Sequence, residues 1–116
     1  MNYNIIASSS SGNCVIINDL MFDCGVSYNK IEKYLKDIKV LFYTHSHRDH
    51  MNISTYQRIR KRYPHIKIIG NYDVSNYIDL DYICGTLSFD VAGRTFTPFD
   101  CVHNVPCTGY TWTQDG

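Results

Sequence analysis

The sequence predicts an α+β domain on three observations. Over residues 39 to 78, short apolar runs alternate with helical patterns, a β-α-β-α order. That order implies a parallel or mixed stretch of sheet with helices on one face. From Thr86 the pattern becomes period-two alternation around Ala92-Gly93, which reads as an antiparallel hairpin. The 116 residues suffice for one domain with one modest core, and 44% hydrophobic with 19% charged residues places the chain among globular proteins.

Tyr3 to Ala7 opens as a strand. Ser8 to Gly12 turns the chain into a second strand, Cys14 to Ile17, and Asn18-Asp19 reverses it into a third, Leu20 to Phe22. Ser27 is placed to cap a helix from about Tyr28 to Lys36, where Ile31, Tyr34, Leu35 and Ile38 form one apolar stripe. Val40 to Tyr43 reads as a buried strand. Ser54 is placed to cap a helix from Thr55 to Arg62, closed by Pro64. Lys67 to Gly70 follows as a strand and Asp73 to Ile78 as a short helix. Leu87 to Val91 and Thr95 to Phe99 make the hairpin, and Tyr110 to Trp112 the last strand. Asp115-Gly116 is a turn signal with nothing after it, which reads as a chain cut short.

Composition bounds the function. Lys plus Arg (11) and Asp plus Glu (11) cancel, leaving no strong electrostatic footprint for nucleic acid. Arg58, Arg60, Lys61 and Arg62 cluster, which a solvated helix face explains. No apolar run is long enough to span a membrane, and the N-terminus lacks the pattern of a secretory signal. The five cysteines have no CxxC spacing, which argues against a disulfide framework and for a reducing, cytoplasmic setting. Most read as small core residues, while Cys101 and Cys107 flank His103 and stand as candidates to lie near a metal.

The densest chemistry is Thr44-His45-Ser46-His47-Arg48-Asp49-His50, directly after the strand Val40 to Tyr43. His45, His47, Asp49 and His50 are candidate metal ligands delivered to a loop by a rigid strand. A polar loop that is His-rich by chance is the bland alternative. His45 and His47, two apart, project to the same side of an extended segment. A catalytic site of three ligands plus water then needs a third nitrogen, for which His103 is the best candidate. His65, between Pro64 and Ile66, reads as a surface histidine. Asp49 and His50 point to a second ion beside the first. Imidazole and carboxylate together suit Zn, Mn or Fe. Two close cations activate a water and clamp ester or phosphodiester oxygens, so hydrolysis is the reaction class indicated. A zinc that only staples the loop is the competing reading, and such sites favour cysteine-rich sets.

These residues resemble the metallo-β-lactamase-fold hydrolases. His45, His47, Asp49 and His50 read as the HxHxDH signature without gaps. Ser8 to Cys14 is similar to the SSSGN start of one bacterial and phage branch, and Phe22-Asp23-Cys24-Gly25 to its DCG. Thr97-Pro98-Phe99 with His103-Asn104-Val105-Pro106 is similar to its third motif. The resemblance implies a four-layer αββα sandwich, with residues 1–116 a single truncated domain that keeps the first sheet and its helices and lacks the C-terminal half. It implies His45, His47 and His103 on a first metal (zinc foremost), Asp49 and His50 on a second, and Asp49 as the catalytic residue. Asp23 is implied as a structural acid beneath the site, and Asn104 stands where family members often carry an acid. The family's later bridging Asp and further His have no counterpart here, and Asp115 is not promoted to that role.

Two functions emerge from this reading. One is a metal-dependent hydrolase of one or two ions, of phosphodiesterase or nuclease type, acting on a phosphoester. The other is a catalytically impaired, truncated relative that acts as a protein-binding module, such as a phage-borne inhibitor. A fragment of a longer enzyme is a third reading. A sheet whose inner face lacks its partner sheet would expose an apolar patch, so self-association as a homodimer or docking onto another protein is expected.

Overall fold

Short strands that alternate strictly can serve two cores at once, and β3 to β5 do so. In the computed structural model, which describes residues 3–113, β1 (Tyr3–Ser9), β2 (Gly12–Ile17), β3 (Leu20–Phe22), β4 (Val40–Phe42), β5 (Lys67–Gly70) and β6 (Tyr82–Ile83) form one sheet in chain order. β1 to β3 pair antiparallel and β3 to β6 parallel. Met21, Leu41 and Ile68 face a core with the helices, whereas Leu20, Phe22, Val40, Phe42 and Ile69 face the opposite side.

The helical layer comprises α1 (Tyr28–Ile31) with a 3₁₀ turn over Glu32–Asp37, α2 (Ile53–Arg62) and α3 (Tyr72–Ser75). The expected apolar stripe is buried at Ile31, Leu35 and Ile38, although the helix tightens to 3₁₀ after Ile31. Two expected caps are corrected. Ser27 makes no side-chain cap bond, because its backbone oxygen takes the Lys30 N–H instead. For α2 the cap is Asn52, whose side chain accepts from Thr55 N at 3.0 Å, not Ser54. The helix therefore begins at Ile53. The arginine cluster is a surface feature: Arg60 bonds Asp81 at 2.7 Å and Arg58 lies over the Tyr28 ring.

A further correction concerns the second sheet, expected to be missing. β7 (Phe89–Val91), β8 (Arg94–Cys101) and β9 (Cys107–Trp112) form a three-stranded antiparallel sheet. Ala92 (φ 51°) and Gly93 (φ 74°) make its hairpin turn, with the left-handed conformations such a turn requires. This sheet lies over the far face of the first one. Phe42 packs against Phe96 at 4.8 Å and Tyr110 at 4.6 Å between ring centroids, and Phe22 stacks on Trp112 at 5.3 Å. Aromatic rings from both sheets thus fill the interlayer space, and Arg94 bonds Asp19 across it at 2.8 Å. The described residues form three layers of a partial αββα sandwich. The second sheet covers the inner face over β3 to β5, while Tyr3 and Ile5 at the β1 end of that face stay exposed. Asp115-Gly116 lies outside the described residues.

Candidate metal centre

β4 is flanked by β3 and β5, so the chain leaves the middle of the sheet at Tyr43 and enters the histidine segment from its most buried strand. Asp23 sets the course of that segment. It ends β3 in a left-handed conformation (φ 61°) that a non-glycine residue adopts at a cost. Its carboxylate accepts from Thr44 N (2.7 Å), Thr44 Oγ1 (2.8 Å) and His50 Nδ1 (2.8 Å). One buried acid thereby orients both ends of the segment. Asp49 is held from another direction: Asn13 N donates to its carbonyl at 2.6 Å and Asn13 Nδ2 to its Oδ2 at 3.0 Å. Gly25 allows the close approach, because a Cβ there would meet Asp49 O at 1.9 Å.

This framework converges four imidazoles. His45 lies 4.9 Å from His47, 4.0 Å from His50 and 4.5 Å from His103 between ring centroids, and His47 lies 4.8 Å from His103. Candidate ligand atoms of His45, His47 and His103 fall within 4.8 Å of one another, and those of Asp23, His45 and His50 form a second such group. Asp49 joins neither group; its Oδ2 is 3.5 Å from His50 Nε2. His65 stands apart, with Nε2 against Ile38 O at 3.0 Å.

The site is arranged for cation binding. Thr44 Oγ1 engages His45 Nδ1 at 2.7 Å, which leaves Nε2 buried without a hydrogen-bond partner. A buried, unpaired ring nitrogen is costly unless something binds it. Burial, reinforced by neighbouring His50, pushes His45 down to about 4, so it presents a neutral lone pair near pH 7. His50 is raised, chiefly by its bond to Asp23. His103 is exposed, and its Nδ1 meets Asn104 Oδ1 at 2.8 Å, so Asn104 orients the ring. A cleft of about 640 Å³ borders the site at His103, with Tyr72, Asp73, Thr86 and Asn104 among its lining and no Lys or Arg; His45, His47 and His50 do not line it.

No family model matches the chain, and no curated protein matches it in sequence. Solved structures do. A metallo-β-lactamase fold protein, YhfI from Bacillus subtilis, superposes with a TM-score of 0.70 at 20% identity over 96% of this chain and 56% of that one. The fold is the metallo-β-lactamase fold. A diphosphatase of the PhnP family also superposes, with a TM-score of 0.62 at 16% identity over 85% of this chain and 46% of the other. The chain spans about half the length of these two neighbours.

Three residues that support the histidine cluster were assigned no role from sequence: Asn13, Thr44 and Asn71. Asn71 caps α3 through its side-chain oxygen and donates through Nδ2 to Thr44 O (3.3 Å), Pro106 O (3.2 Å) and Thr108 Oγ1 (3.1 Å). It thereby ties the segment around His45 to the loop that carries His103. The available signal was a polar residue directly after an apolar strand, at the same strand end as the histidines. Asn13 carried the signal of its SSSGN motif.

Proposed function

We propose that the chain is a metal-dependent hydrolase of the metallo-β-lactamase fold, acting on phosphodiesters. The observation that supports it best is the convergence of His45, His47 and His103 with His45 Nε2 buried and unpartnered. An all-nitrogen set of imidazoles suits zinc foremost, with Mn or Fe as alternatives. A bound divalent ion supplies Lewis-acid polarisation of the ester oxygen and a water acidic enough to act as nucleophile near neutral pH. His45, His47 and His103 hold that ion. Asp49 and His50 stand beside it and would supply donors for a second ion, and Asp49 would take the proton of the nucleophilic water. Asp23 and Asn13 keep those two side chains in place.

A second reading has one observation in its favour. Among the described residues, the second ligand group draws on Asp23, whose carboxylate already accepts from Thr44 and His50. A chain that holds one ion without turnover, acting as a binding module, fits that arrangement. Metal analysis together with hydrolysis of bis(4-nitrophenyl) phosphate separates the two. Turnover that His47→Ala abolishes supports the enzyme; one ion without turnover supports the module.

A further inference from the structure

The cysteines fall into unlike sets. Cys14 and Cys24 interact with each other and are fully buried, and Cys84 sits against the Tyr110 hydroxyl. Cys101 and Cys107 are partly exposed and oppose each other at the last rung of the β8–β9 ladder. Directly opposed residues of an antiparallel pair share a face, with Cα atoms about 4.5–5.5 Å apart. A disulfide spans about 4.4–6.8 Å between Cα atoms, so the rung lies within reach of one. Burial first, and then the neighbouring Cys101 thiol, pushes Cys107 up to about 11, so Cys107 is a neutral thiol near pH 7.

The chain between them gives the pair its meaning. Residues 102 to 106 form the loop that carries His103, and Val102, His103, Asn104 and Pro106 are all exposed. From outside the loop, Asn71 holds the Pro106 carbonyl at 3.2 Å. Cys107 Sγ lies 3.8 Å from His45 Nδ1, the nitrogen already engaged by Thr44 and not the free Nε2. Neither cysteine joins a candidate ligand group. The thiols therefore stand behind the imidazoles, at the base of the loop.

We propose that Cys101 and Cys107 form a reversible redox site, whose cross-strand disulfide closes the His103 loop at its base and holds His103 against His45 and His47. With hydrogen peroxide as the two-electron oxidant, one sulfur displaces hydroxide from the peroxide and becomes a sulfenic acid, releasing one water. The second sulfur then displaces that oxygen as a second water, so two thiols and one peroxide give one disulfide and two waters. A dithiol reductant restores the open loop. The effect on a bound ion rests on reading His103 as a ligand; the disulfide does not.

The test uses the full chain treated with hydrogen peroxide, alkylated under denaturing conditions and mapped by mass spectrometry. The expected product has lost two hydrogens, carries a Cys101–Cys107 link and leaves Cys14, Cys24 and Cys84 free for alkylation. Separate alkylation of Cys101 and Cys107, overoxidation of either, or a link to another cysteine overturns the proposal. The second readout is zinc release to a chromogenic chelator from oxidised and reduced protein. The oxidised form should release zinc at least about threefold more slowly, because a pre-organised loop loses less order on binding, and Cys101→Ser/Cys107→Ser should not respond to the oxidant. Equal or faster release from the oxidised form contradicts the holding role. A chain that forms the bond yet takes up no zinc contradicts the metal reading and leaves the disulfide assigned.

Discussion

The candidate metal centre is assembled from two regions built on opposite principles. The segment from Thr44 to Met51 is buried or half-buried except at Arg48, and is fastened through Asp23, Asn13 and the backbone of Cys24. The loop of residues 102 to 106 is mostly exposed, and its His103 finds its ring partner in the adjacent Asn104. The first region presents ligands that folding has already placed. The second brings one ligand on a short, lightly anchored excursion between β8 and β9. Burial on one side and exposure on the other place the stability cost of the site mainly in the first region.

Substitutions should expose that division. Gly25→Ala is expected to be the most damaging, because its Cβ would meet the Asp49 carbonyl at 1.9 Å. A loss of about 3 kcal/mol or more in a urea melt is predicted. A loss below about 1 kcal/mol would mean that the segment can move aside. Asp23→Ala strips Thr44 and His50 of a shared buried acceptor. It should cost about 2–4 kcal/mol, as broken buried networks do. Asn13→Ala removes the bond to the Asp49 carboxylate, with about 1 kcal/mol expected by the same measurement. His103→Ala, on the exposed side, should change the stability of the metal-free protein by no more than about 0.5 kcal/mol.

Acid should act on the buried region as well. In the metal-free protein His45 is held at about 4 against its ordinary 6.5, first by burial and then by His50. The unfolded chain binds this proton where the folded one does not, so this contribution to stability falls as pH drops from about 6.5 to about 4. His50 acts in the opposite sense: its raised value stabilises the fold below the ordinary histidine range, and that stabilisation is lost as pH rises through its folded value. Urea midpoints across this range should therefore flatten at the acid end in His45→Asn. An unchanged acid limb would remove His45 as its source.

Much of this was legible in the sequence because local periodicity and long-range packing agree. The β3, β4 and β5 strands, the α2 helix and the Ala92-Gly93 turn each carry a signal within a few residues. The histidine segment was equally plain, since its ligands are neighbours in the chain. Three things were less accessible. β6 is two residues long and exists through pairing with β5, which leaves no local pattern to read. The covering role of β7 to β9 depends on Phe96, Tyr110 and Trp112 meeting Phe22 and Phe42 from far along the chain. The supporting bonds of Asn13 and Asn71 span 36 and up to 37 residues, and no short-range pattern encodes them.

Zinc uptake by wild type and His103→Ala, followed by equilibrium titration at neutral pH with urea midpoints recorded on the same metal-free samples, tests the shared site most directly. The convergence of His103 with His45 and His47 predicts that the variant loses at least about tenfold in affinity, a difference of about 1.4 kcal/mol, while its metal-free midpoint stays put. Unchanged affinity in a normally folded variant would contradict it, and the exposed loop would then have no part in holding the ion.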